Sequence, residues 1–213
     1  MLQKETVTAG TLELLKSLMQ DSRLKDFFLV GGTALSLQIG HRLSIDIDLF
    51  SQHPFDEDKL VIYLEQQKNL RLDFLEKNTI KGQIAEIKID LITHSYPLAE
   101  PLKTVEGVRF ASLADIAAMK LNAIVGNGTR VKDFIDIAFL SCNLSLKQMA
   151  EAYELKYATR NPLLILKALS YHKDINFKEP IQMVARPFSW KPIERRLNQM
   201  IKSSSRVFES LPQ

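Results

Sequence analysis

The stretch Leu29–Phe50, LVGGTALSLQIGHRLSIDIDLF, decides the fold. Phe27–Val30 is a short all-apolar run, as a buried strand requires, and Gly31-Gly32 follows it directly. Glycine has no Cβ, so the chain can turn sharply there and offer N–H groups to an anion. Thr33 is placed to cap a helix over Ala34–Ile39, whose N-terminus also favours a phosphate. Ser44–Phe50 then alternates, with Ile45, Ile47 and Leu49 apolar and Ser44, Asp46 and Asp48 polar. A period of two predicts a strand that sends Asp46 and Asp48 out of one face.

Two carboxylates two residues apart on a strand face lie about 6–7 Å apart at the backbone. Their side chains can converge on divalent ions spaced about 3.5–4 Å. Mg²⁺ (or Mn²⁺) suits such a pair, because it takes oxygen ligands and is usually held by one or two carboxylates plus substrate phosphates. Alone, D-x-D is better read as a solvated strand face, and Gly-Gly as an ordinary strand-to-helix turn. Together, within twenty-two residues, they point to metal-assisted transfer of a nucleotidyl group.

The pattern G-G-T-A-L…G-H-R-x-S-x-D-I-D-L-F resembles the AbiEii/AbiGii-type nucleotidyltransferase toxins, within the DNA polymerase beta-like nucleotidyltransferase superfamily. The likeness runs over roughly Phe27–Leu140. It implies an α/β (α+β) nucleotidyltransferase core with a small mixed sheet, followed by a C-terminal helical lobe. The expected division is residues 1–110 for the core and 111–213 for a mainly helical lobe completing the active site. It further implies an enzyme that moves an NMP from an NTP to an acceptor, in type IV toxin–antitoxin or abortive-infection systems. Some such proteins act on the 3′ end of tRNA, so RNA or tRNA is the expected acceptor and a cognate antitoxin a possible partner. The alternatives are a small-molecule, antibiotic-type nucleotidyltransferase and a non-catalytic nucleotide-binding module on the same fold.

The resemblance also gives roles to residues. Gly31, Gly32 and Thr33 would cradle phosphates, and Asp46 and Asp48 would hold the metal. Ser44 would bond the triphosphate or accept a modification. Arg42 is either a fork for phosphate or a surface arginine paired with Asp46 or Asp48. Asp90, in the alternating run Ile84–Thr93, matches the superfamily's third acid, a general base or metal ligand, and is equally well a polar strand residue.

The second constellation follows K-L-x-A…R-x-K-D-x-x-D. Ser112 and Asp115 form a capping-box-like start to a helix running to about Val125, where Gly126-Asn127-Gly128 stops it. Lys120 falls on the apolar stripe of that helix, so it needs a partner or must snorkel. By resemblance it binds nucleotide phosphates. Asp133 and Asp136 share a helix face at i,i+3, and the sequence does not choose between them as the further catalytic acid.

The 213 residues make one domain, or one with a helical extension, and 46% hydrophobic against 25% charged residues is ordinary globular composition. A single cysteine, Cys142, excludes an internal disulfide framework. No signal sequence or long apolar run is present, so the expected location is cytoplasmic, with no membrane partner. A strand is expected over Leu70–Lys77, with turns at Asn78 and Lys81-Gly82, and an edge strand at Val108–Phe110. Helices are expected over Thr11–Met19, Asp56–Lys68, from Ser145 to about Tyr157, from Asn161-Pro162, and over Ile193–Ile201 after the breaks at Pro187 and Pro192. The C-terminus from Ser203 is expected to fray. Lys156–Arg206 carries eleven Lys/Arg against three Asp/Glu, a formal +8 in a chain of only +3. That excess is an expected steering surface for RNA, with Tyr157, Tyr171, Phe188 and Trp190 as possible stacking platforms.

Overall fold

A computed structural model describes residues 1–159 and 161–212. Contacts divide the chain into two units, Met1–Pro97 with Leu102–Ala111, and Leu98–Pro101 with Ser112–Gln213.

The first unit is built on a mixed sheet. Its elements run α1 (Ala9–Gln20), β1 (Phe28–Val30), α2 (Gly31–Ile39), β2 (Ile47–Ser51) and α3 (Glu57–Lys68). They continue with β3 (Arg71–Glu76), β4 (Thr79–Ile84), β5 (Ile87–Thr93), β6 (Lys103–Val105) and β7 (Val108–Phe110). The strand order is β3-β4-β5-β2-β1-β7-β6, with β1/β7 and β2/β5 parallel. Leu29, Leu49, Leu91 and Ile80 stand in register on four neighbouring strands and are all essentially inaccessible. This row is the apolar face the alternation demands. The Arg109 guanidinium braces the entry to β1, donating to the carbonyl oxygens of Phe27, Met19 and Leu24 at 2.8–2.9 Å. Burial lowers its pKa, and the nearby Asp26 charge opposes that.

Several local expectations change. The helix after β1 starts at Gly31, not Ala34, so Thr33 lies in its first turn and is not its cap. The strand carrying Asp48 starts at Ile47, so Asp46 lies just ahead of it and Ile45 is exposed. The cause is competition for backbone bonds. Ser44 N–H donates to Thr6 O at 2.9 Å, and the Asp46 carbonyl is taken by the Thr33 hydroxyl. Ile84–Thr93 is not one strand. Ala85 and Glu86, both at positive φ, form a tight hairpin turn between β4 and β5. Lys81-Gly82 is no turn but the middle of β4. Val108–Phe110 is not at the edge, since β6 covers it.

The second unit is helical: α4 (Leu113–Asn127), α5 (Val131–Leu140), α6 (Leu146–Tyr157), α7 (Pro162–Ser170) and α8 (Trp190–Lys202). Ser145 and Gln148 make the expected capping box of α6. Pro192 does not break the chain before the last helix. It sits in the first turn of α8, where its missing N–H costs nothing. The tail is also tied down: Phe208 N–H donates to Ser141 O at 2.9 Å, and Lys147 N–H to Ser204 O at 2.8 Å.

Candidate active site

The first unit gathers Gly31, Gly32, Thr33, Arg42, Ser44, Asp46 and Asp48 around one short loop. Gly31 has φ +71°, a left-handed conformation, and the Asp48 carboxylate occupies the space where its Cβ would stand. Gly32 is needed for another reason. A Cβ there would meet Arg42 Nη2 at 2.5 Å and Ser44 Oγ at 3.1 Å. Both glycines therefore let acid-loop side chains lie against the start of α2. Arg42 is only 3% exposed, so it is not a surface arginine; its Nη1 donates to Leu43 O at 3.1 Å.

Thr33 is buried, and its hydroxyl joins the two halves of the loop. It reaches the carbonyl oxygen of Asp46 and lies 2.9 Å from Ser44 Oγ. The Thr33 hydroxyl is the donor in both contacts and shares its one proton between the Asp46 carbonyl and Ser44 Oγ. Asp46 is thereby presented outward and Asp48 inward, towards the glycine turn.

Asp90 is placed beside Asp48. The two are paired in register on the parallel strands β2 and β5. Its carboxylate, however, accepts from Lys81 at 2.6 Å. Sequence reasoning missed Lys81 because Lys-Gly reads as a turn. Among the described residues no three His, Cys, Asp or Glu side chains converge as a metal-holding group. Asp46 and Asp48 nevertheless suit Mg²⁺ or Mn²⁺, which needs only one or two carboxylates when water and phosphate complete its shell. The Gly31 cradle, which fixes the Asp48 carboxylate against backbone, supports that fit.

The second unit holds Lys120, Asp133 and Asp136. Helix α5 buries nine of its ten residues, including both aspartates. A carboxylate in such surroundings needs a cation. Lys120 Nζ supplies it, 2.6 Å from Asp133 Oδ1 and 2.9 Å from Asp136 Oδ2. Lys120 does not snorkel, being 7% exposed, and it engages both acids. Asp133 Oδ2 is buried without a hydrogen bond, and Arg130 Nε stands 3.9 Å from it.

The expected basic surface is thinner than its charge count. Lys156 is 1% exposed and pairs with Asp115 at 2.8 Å. Arg196 is 5% exposed, bonded to Ser141 Oγ and Ser210 O and lying over the Phe208 ring. Arg160 lies outside the described residues. Eight of the eleven remain exposed, among them Lys191, Arg195, Lys202 and Arg206. Of the aromatic candidates, Trp190 packs against Phe134, His172 and Phe177, and Tyr157 against Tyr153.

The AbiEii nucleotidyl transferase toxin family, of type IV toxin–antitoxin systems, matches residues 13–207. The chain belongs to this family of nucleotidyltransferases. An uncharacterised protein of Aquifex aeolicus is 31% identical over 196 residues, covering 89% of this chain and 93% of that one. Two Helicobacter pylori structures share the fold. JHP933 has TM-score 0.55, 15% identity and 93% coverage of each chain. A candidate nucleotidyltransferase has TM-score 0.57, 16% identity, and coverage of 93% of this chain and 96% of that one. As an AbiEii chain, the protein has no helix, among the described residues, long and apolar enough to cross a membrane.

Proposed function

We propose that this AbiEii-family chain transfers an NMP from an NTP to an RNA acceptor of the tRNA class, using Mg²⁺ or Mn²⁺, and that an antitoxin restrains it. The observation that carries the reading is the Asp48 carboxylate set in the Gly31 cradle, with Asp46 presented two residues earlier. Asp46 and Asp48 would hold the ion, which when bound neutralises triphosphate charge and lowers the pKa of the acceptor hydroxyl. The N-terminal amides of α2 would take a phosphate, helped by the helix dipole. Arg42, packed over Gly32, would supply a fixed guanidinium for a second phosphate contact, and Ser44 a hydroxyl. The family resemblance gives Lys120 the neutralisation of phosphate charge, worth several kcal/mol in a water-poor site as an order of magnitude. The exposed cations of the helical unit would steer the acceptor.

The test is incubation with each labelled NTP, total cellular RNA and Mg²⁺, with and without EDTA, for the native chain and Asp46→Asn. The expected result is label in RNA that needs the metal and falls by orders of magnitude in Asp46→Asn. Label appearing only on small molecules would replace the RNA acceptor. Metal-independent binding of NTP with no transfer would replace the enzymatic reading for this chain.

A further inference from the structure

On the face of the sheet opposite the Leu29–Leu49–Leu91–Ile80 row, the next register position reads Val30, Asp48, Asp90, Lys81, Phe74 across β1, β2, β5, β4 and β3. Paired residues share a face of the pleat, and neighbouring strands lie about 4.8 Å apart. Two carboxylates side by side in such a row repel, and like charges directly opposite are destabilising. Lys81 relieves this, with its ammonium 2.6 Å from Asp90 Oδ2.

The pair is not a buried staple. The Lys81 side chain is 42% exposed and that of Asp90 28%. Ion pairs this exposed contribute little to stability. What Lys81 changes is the electrostatics of the acidic row. It holds a positive charge on the one carboxylate that stands level with Asp48 but does not converge with Asp46 and Asp48 as a third ligand.

We propose that Lys81 is a built-in cation for Asp90. Its ammonium takes the position on that carboxylate that a second divalent ion would take, so Asp46 and Asp48 work with a single ion. This inference rests on the metal-dependent reading above and adds the number of ions and the residue that sets it. Lys81 is a positioning residue in this scheme, since it acts through Asp90.

The experiment counts Mn²⁺ by calorimetry and by electron paramagnetic resonance, on the full chain with a non-hydrolysable NTP analogue. The native protein should bind one Mn²⁺ per chain. Lys81→Met exposes the Asp90 charge on an already acidic row and should bind two. Lys81→Arg, which keeps a cation there, should bind one, and Lys81→Met with Asp90→Asn should return to one. Because Lys81 is on the open face, thermal melts of all three variants should match the native protein within a few degrees. An unchanged count and affinity in Lys81→Met overturns the proposal. So does a native count of two that drops to one in Asp90→Asn. A native protein that binds no Mn²⁺ removes the metal-dependent reading itself, and this inference with it.

Discussion

Lys156 Nζ lies 2.8 Å from Asp115 Oδ1, and neither side chain is exposed to solvent. Asp115 also accepts from Ser112 Oγ at 2.7 Å and from the N–H groups of Ala99 and Glu100 at 2.9 and 3.3 Å. One carboxylate therefore holds the Ser112 hydroxyl that caps α4, anchors residues 98–101 and neutralises a lysine of α6. Removing one member of such a pair leaves a buried charge without compensation. Lys156→Met should cost about 3–5 kcal/mol, a fall in Tm of roughly 10 °C for a chain this size. Asp115→Asn should cost at least as much, because the backbone donors of Ala99 and Glu100 lose charge-assisted bonds as well. Thermal and urea melts check both. Native-like melting in Lys156→Met would contradict the buried pairing.

The glycine turn makes a graded prediction. Gly31→Ala must place a Cβ in the left-handed region and on the Asp48 carboxylate. Gly32→Ala has permissive backbone but pushes on Arg42 and Ser44, which are side chains able to shift. Gly31→Ala should therefore lose about 1–3 kcal/mol of stability and most NTP affinity. Gly32→Ala should keep most stability and lose affinity more modestly. Melts and calorimetry with an NTP analogue measure both, and the reverse order would mean that Arg42 and not Asp48 governs the loop.

What was legible in the sequence was local. Gly31-Gly32 beside D-x-D reads directly because the turn, the helix start and the acids are neighbours in the chain. Lys120 facing an acid was also readable, since helical spacing puts it on an apolar stripe and two aspartates at i,i+3 share a face. The Lys81–Asp90 pair was not readable, because the hairpin turn that makes it falls at Ala85-Glu86, which carries no turn signal, whereas Lys81-Gly82 does. Gly82 is needed for close approach of backbone, as the Arg71 carbonyl packs where its Cβ would be. Lys156 and Arg196 show a second limit. Counting charges along the chain gives their sign but not their burial, and both are fastened inside the helical unit.

That limit changes the test of the RNA surface. Reversing Arg196 would break its bonds to Ser141 and Ser210 and report on folding. Lys191 and Lys202 lie exposed on α8 and are the proper probes. Lys191→Glu with Lys202→Glu should weaken RNA binding at least tenfold and flatten its dependence on salt, since about two phosphate contacts are lost. NTP affinity and Tm should hold. Filter binding across a salt series measures the slope, and an unchanged slope would move the acceptor surface off α8.

Lys120 carries the sharpest test, because the structure alters what its removal should do. With two buried acids around one ammonium, Lys120→Met removes the charge that sits between Asp133 and Asp136. It should therefore cost about 3–5 kcal/mol, so lost activity in that variant says little by itself. Lys120→Arg separates the two roles. It keeps a positive charge between the carboxylates and should retain most of the stability. A planar fork nevertheless replaces a compact point charge with rotatable donors. If Lys120 meets nucleotide phosphates, Lys120→Arg should melt within a few degrees of the native protein while nucleotidyl transfer falls at least tenfold. Transfer rates with labelled NTP, set beside the melting curves, decide it. A Lys120→Arg protein that is both stable and fully active would make Lys120 the counter-ion of α5 and nothing more.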